Sequence, residues 1–138
     1  MMRFQFSQTS ARKLHTAHLD LQFVMRESLA YGIMDFAIIE GHRDKARQDR
    51  MHKIGKSRVR WPHGKHCNTP ADAVDAVPYV NGKISWDWAH CCVLAGIIMA
   101  AAAKLGIPIR WGGNWDMDSE PITDQDFQDL VHYERIDP

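Results

Sequence analysis

Ala73-Val-Asp-Ala-Val-Pro-Tyr-Val80, followed by the pair Asn81-Gly82 and then by the apolar stretch Trp86 to Leu105, decides how this chain folds. The first eight residues are rich in valine and small apolar side chains and end at an Asn-Gly turn signal, so they are predicted to form a strand. The apolar stretch reads as a helix. Ser85 is placed to cap it from about Trp86 to Leu105, with Gly106 as its stop. Pro108-Ile-Arg-Trp111 then returns to a short strand before the turn Gly112-Gly113.

Outward from this centre, residues 11 to 30 place apolar side chains at Leu14, Leu19, Leu21, Phe23, Val24, Leu29 and Ala30, before Tyr31-Gly32. That pattern predicts one or two helices stopped by glycine. Met34-Asp-Phe-Ala-Ile-Ile-Glu40 is predicted as a strand ended by Gly41, and residues 43 to 54 as an exposed, charged helix. Gly55 to Pro70 carries Gly, Pro, Ser and Asn punctuation and is predicted to be a long loop. Thr123 with Asp126 resembles a capping box for one helical turn. His132 to Ile136 is the expected last strand. The order predicts an α+β fold with a small, mainly antiparallel sheet packed with helices.

At 138 residues and 45% hydrophobic, the chain is expected to form one domain that needs no disulfides to bury a core. Three cysteines, two of them adjacent at Cys91 and Cys92, imply no disulfide framework. Net charge is zero, so the whole-molecule balance points to no particular polyanionic partner. Its distribution is uneven, with nine Lys or Arg against two Asp in residues 43 to 65, and eight acids with one Arg in residues 116 to 138. Residues 1 to 30 lack a signal-peptide pattern, so synthesis is expected in a reducing cytoplasm. The apolar run Val93 to Ala103 is too short to span a bilayer, and no membrane insertion is expected.

Chemistry is concentrated in two segments, His66-Cys-Asn-Thr-Pro-Ala-Asp-Ala-Val-Asp75 and Asp129-Leu-Val-His132-Tyr-Glu134. His66, Asp75 and His132 together offer two imidazoles and one carboxylate, a donor set that suits a catalytic zinc with one open position. Asn68 and Pro70 suit a bulge that would bring His66 and Asp75 together. Asp129 and Glu134 both stand near enough in sequence to His132 to serve as the base, and spacing alone does not choose between them. Arg43, just past a strand end, is placed to supply a positive group for an oxyanion or a substrate carboxylate. Cys67 adjoins a ligand but is expected to point to the opposite face of an extended chain.

These residues resemble the VanY-type zinc peptidases of bacterial cell-wall metabolism, especially the small phage L-alanyl-D-glutamate endopeptidases that serve as endolysins. The family pattern is a His, a spacer, Ala-x-Asp, and later an acid-x-x-His, here His66, Ala73-Val74-Asp75 and Asp129-Leu-Val-His132. The resemblance extends through Phe36-Ala-Ile-Ile-Glu-Gly-His-Arg43, Asp75-Ala-Val-Pro-Tyr-Val-Asn-Gly-Lys-Ile-Ser-Trp86 and Leu105-Gly-Ile-Pro-Ile-Arg-Trp-Gly-Gly-Asn-Trp-Asp116. The familiar first motif has six residues between His and Asp. This chain has eight, with Gly64 where that motif has Ser.

The resemblance implies a hedgehog/DD-peptidase-like zinc peptidase fold, with Zn2+ held by His66, Asp75 and His132. It implies Asp129 as general base or acid, Arg43 near the scissile carbonyl and Glu134 in support of a ligand. Trp111, Asn114, Trp115 and Asp116 are implied to lie near the cleft and contact substrate. The implied substrate is a peptidoglycan stem peptide, cut by a monomer at the L-Ala–D-Glu bond after release to the wall. Removal of a terminal D-Ala, as by carboxypeptidases of the same family, is the alternative. A non-catalytic module that grips the wall or a polyanion is another, although Trp61 is the only aromatic residue between positions 43 and 65, too few for a nucleic-acid stacking surface.

Overall fold

The computed structural model describes residues 3–122 and 127–136. Thr123 and Asp126, the expected capping box, lie outside the described residues.

The N-terminal pattern resolves into two helices, α1 (Gln8–His15) and α2 (Leu19–Ala30). Ser7 caps the first by accepting from the Ser10 amide, and His18 caps the second through its ring nitrogen. Tyr31 closes α2, and Gly32 follows with a positive φ of 68°. β1 (Phe36–Glu40) starts two residues later than predicted. α3 (Lys45–Lys53) is capped by Asp44, and its one buried residue is Gln48. The predicted loop from Gly55 to Pro70 contains one short 3-10 turn, Lys65–Cys67.

β2 (Ala73–Val80) has the predicted bounds and forms a hairpin with β3 (Lys83–Ile84) across Asn81-Gly82. α4 (Trp88–Leu105) begins later than expected, because its cap is Asp87 and not Ser85. The Asp87 carboxylate accepts from the amides of Ala89 and His90, where a negative charge also suits the helix dipole. Ser85 instead accepts from the Asp87 amide and pairs with the His90 ring. Gly106 ends α4 in the left-handed conformation, φ 70°. By length and composition alone α4 could cross a membrane. In the fold, its side bearing Leu94, Ile98 and Ala101 is fully buried.

β4 (Ile109–Gly112) and β5 (Asp129–Arg135) complete an antiparallel sheet of order β1-β2-β5-β4, with β3 paired outside that path to β2. β5 starts three residues earlier than predicted, so Asp129 and His132 share one strand. Side chains alternate across the sheet. Val74 and Ala76 of β2 and Tyr133 of β5 enter a core shared with Leu21, Val24, Leu94 and Ile98. Each fully buried Leu or Ile contributes about 1.5–3 kcal/mol relative to an exposed position. The intervening residues, Asp75 on β2 and His132 and Glu134 on β5, take the opposite face. The register sets Asp75 directly across from His132 and Ala73 across from Glu134.

Candidate metal centre

Strand pairing delivers two of the three donors. The third comes from the 3-10 turn, where His66 is held by its backbone and its ring alike. Its carbonyl accepts from the Arg43 amide at 2.7 Å, and its Nδ1 lies 2.8 Å from the Gly41 carbonyl. A carbonyl only accepts, so Nδ1 carries the proton and Nε2 turns its lone pair inward.

The longer spacer is taken up away from the cluster. After a cis Thr69–Pro70 bond, Ala71 bridges to Ala17 and exchanges hydrogen bonds with Thr16 and His18 at the α1–α2 junction. Asn68 donates to the Asp72 carboxylate at 2.8 Å. Cys67 is buried with its sulfur against Gly64, and the donor cluster does not include it.

His66 Nε2 lies 3.1 Å from Asp75 Oδ1 and 3.2 Å from His132 Nδ1, and His132 Nδ1 lies 3.4 Å from Asp75 Oδ1. All three residues are buried. The edges of a tetrahedron around an ion bound at about 2.0–2.1 Å measure roughly 3.3–3.4 Å. Two imidazole nitrogens and one carboxylate oxygen at nearly that spacing form a possible metal-binding triad, and the donor set fits a tetrahedral ion with one position left for another ligand.

Around the triad, each donor has a second partner. His132 Nε2 lies 2.8 Å from Glu134 Oε1, and Glu134 Oε2 accepts from Arg110 at 2.8 Å. The free oxygen of Asp75 accepts from Arg43 at 3.3 Å. Arg43 also reaches Glu40 at 2.7 Å and Gln48 at 3.2 Å, and Gln48 in turn holds the loop at Ser57 and Val59. Such partners fix the tautomer and direction of a ligand.

The electrostatics follow from this crowding. Burial opposes charge on His132, but hydrogen bonds to Asp75 and Glu134 outweigh it and hold the imidazole up at about 9. Burial would raise Glu134, yet its hydrogen bonds from His132 and Arg110 bring it down to about 2. Asp75 is likewise held well below the usual carboxylate range, with burial opposed by its interactions with the imidazoles of His66 and then His132. Asp129 moves the other way. Burial, and then the negative charge of Asp75, raise its affinity for a proton.

Asp129 opens β5 at the edge of the cluster, and Gly112 of β4 is what lets it sit there. A Cβ on Gly112 would meet the Asp129 carbonyl oxygen at 2.1 Å. Trp115 tilts its ring over His132, with centroids 5.4 Å apart, and its indole nitrogen donates to the Phe127 carbonyl. Trp111 is not brought to the triad. It is buried in the core and donates to the Leu130 carbonyl. With Asn114 it lines a separate apolar cavity beside Cys92 and Met99. Asp116 is exposed and accepts from the Asp118 amide.

Residue type and spacing assign no role at the site to three residues that support the triad: Gly41, Gln48 and Arg110. Along the chain Gly41 reads only as a strand stop, and Arg110 only as part of a short strand. Their partners lie between 5 and 25 residues away, so no local pattern reports them.

Comparisons with known proteins agree with this picture. The family described as phage L-alanyl-D-glutamate peptidase matches residues 2–136. The L-alanyl-D-glutamate peptidase of Escherichia phage T5 is 32% identical over 120 residues, covering 86% of this chain and 87% of that one. The crystal structure of Serratia marcescens L-Ala D-Glu endopeptidase ChiX matches with a TM-score of 0.79 at 30% sequence identity, covering 97% of this chain and 91% of that one.

Proposed function

This chain belongs to the phage L-alanyl-D-glutamate peptidase family, and we propose that it hydrolyses the L-Ala–D-Glu bond of peptidoglycan stem peptides using a zinc ion held by His66, Asp75 and His132. The observation that carries the reading is the near-tetrahedral spacing of those three buried donors. Zinc in such a site supplies Lewis acidity, which polarises a carbonyl and lowers the pKa of water.

The chain's own residues do the rest. Asp129, with its raised proton affinity, takes the proton of the attacking water and returns it to the leaving amine. Arg43 holds Asp75 by one oxygen so that the other faces the triad, and in this reading its positive charge supports the developing oxyanion. Glu134, itself held by Arg110, orients His132 so that Nδ1 faces inward. Trp115 covers His132 and limits water on that side.

Cavities open on both sides of the triad, one lined by His66 and His132, the other by Asp75. The family match, to L-alanyl-D-glutamate peptidases, is what favours internal cleavage over removal of a terminal D-Ala. The enzyme would act at the bacterial wall after leaving the cytoplasm.

Mass spectrometry of purified peptidoglycan digested with the protein tests the reading. New amino-terminal D-Glu, lost on chelation and restored by zinc, is the expected result. Zinc-dependent release of free D-Ala would replace it with the carboxypeptidase reading, and no zinc-dependent product from several wall types would overturn peptidase activity altogether.

A further inference from the structure

The two cavities, of about 330 and about 630 Å³, are arms of one groove: Arg43, Lys56, Phe127 and Asp129 line both. The arms differ in charge. Among the described residues, the first adds Arg58, Lys65 and Arg110 to the shared Arg43 and Lys56, against only Asp129 and Glu134. The second sets Arg43, Arg47 and Lys56 against Glu40, Asp75 and Asp129, which balances. Its lining also includes the apolar side chains Ile39, Met51, Val131 and an exposed Trp86.

The cations of the first arm are not equally committed. Arg110 is bound to Glu134, and Lys65 donates to the Arg135 carbonyl. Arg58 lies over the Phe127 ring, 4.6 Å from its centroid, and that packing presents its guanidinium to the cavity. Lys56 stands where the arms meet.

The bond in question has the same asymmetry. On its acyl side is alanine, uncharged and small. On its amine side is glutamate, which keeps a free carboxylate in a linear chain because it has two and uses one. A carboxylate gains most from a planar guanidinium in a partly enclosed, net positive cavity.

We propose that the groove has a direction: the glutamate side of the substrate lies in the cationic arm with its free carboxylate on Arg58 and Lys56, and the alanine side lies in the neutral arm against Trp86. This rests on the peptidase reading above. It makes Arg58 and Lys56 determinants of specificity for an acidic residue after the cut bond, and Trp86 a contact for whatever precedes it.

Two synthetic peptides separate the cases, both with an L-Ala–D-Glu bond, one with the free glutamate carboxylate and one with its carboxamide. The zinc-loaded wild type is expected to show kcat/KM about tenfold higher for the carboxylate, as for one charge-assisted contact in a half-open site. The double variant Arg58→Gln, Lys56→Gln should bring that ratio close to one, chiefly through KM. Trp86→Ala should lower kcat/KM for both peptides by the same factor and keep the ratio. Zinc stoichiometry and circular dichroism of each variant separate lost recognition from lost folding.

Equal rates on the two peptides by the wild type would overturn the direction while leaving the peptidase standing. So would a preference that survives the double variant or one that disappears in Trp86→Ala. Cleavage of neither peptide with zinc present would remove the peptidase reading and this inference with it.

Discussion

The triad is assembled in two ways, and the difference bears on how firmly each donor is set. Asp75 and His132 are facing residues on the central strands β2 and β5, so the pleat and the register place them together. His66 comes from a three-residue turn at the end of a long loop, and hydrogen bonds to residues 25 and 23 positions earlier, Gly41 and Arg43, hold it in place. A strand position is set by the many bonds of a ladder. A turn position depends on a few contacts, and any one of them can be removed.

The strand half should fail outright when a donor is lost. His132→Ala is expected to lower kcat/KM by about a thousandfold, the several kcal/mol that a Lewis acid supplies, with zinc no longer bound stoichiometrically. Metal analysis alongside kinetics checks it, and a variant that keeps both zinc and activity would take His132 out of the site. Asp129→Asn tests the base in the same strand. A loss of about a hundredfold in kcat with zinc retained is expected, and loss of zinc instead would make Asp129 a ligand.

The turn half should fail by degrees. A Cβ on Gly41 would lie 2.3 Å from both the Lys13 carbonyl oxygen and Thr16 Oγ1, so Gly41→Ala must shift the carbonyl that orients His66. Destabilisation of about 1–3 kcal/mol is expected, with zinc affinity weaker by about tenfold or more. Unchanged zinc affinity would show that the loop holds His66 without Gly41. Glu134→Gln, which weakens the carboxylate behind His132, should weaken zinc by about tenfold with little loss of stability. Zinc titration in a competing chelator measures both.

The smallest effect concerns pH. In chelated protein, His132 is raised from its ordinary 6.5 to about 9, so the folded state binds its proton more tightly than the unfolded chain does. That contribution to stability is complete below about pH 6.5 and is lost as pH rises through 9. Tm of the chelated protein should therefore fall across this window more steeply than in His132→Gln. Parallel profiles for the two would contradict the assignment.

Much of this molecule is legible without coordinates. Val-rich Ala73–Val80, ended by Asn-Gly, announces a strand and a hairpin, and Gly106 announces the end of the long helix. Donor type and family spacing single out His66, Asp75 and His132, and the fold brings all three together. Boundaries are less legible. Ser85 and Asp87 are both good caps, and only the packing of α4 selects the one whose carboxylate reaches the amides of Ala89 and His90. Trp111 and Trp115 lie four residues apart in one motif, yet one is core and the other covers His132.

Residue order is enough to say which donors are candidates for a metal and which segments prefer strand or helix, because donor type and hydrophobic period are local properties. It does not reveal that Gly41 orients His66, that Arg110 holds Glu134, or that the groove is cationic on one side and neutral on the other. Those facts arise in the folded chain alone, as sums over side chains gathered from distant parts of it. A hydrogen bond or a local field depends on distance in space, which the order of residues does not record.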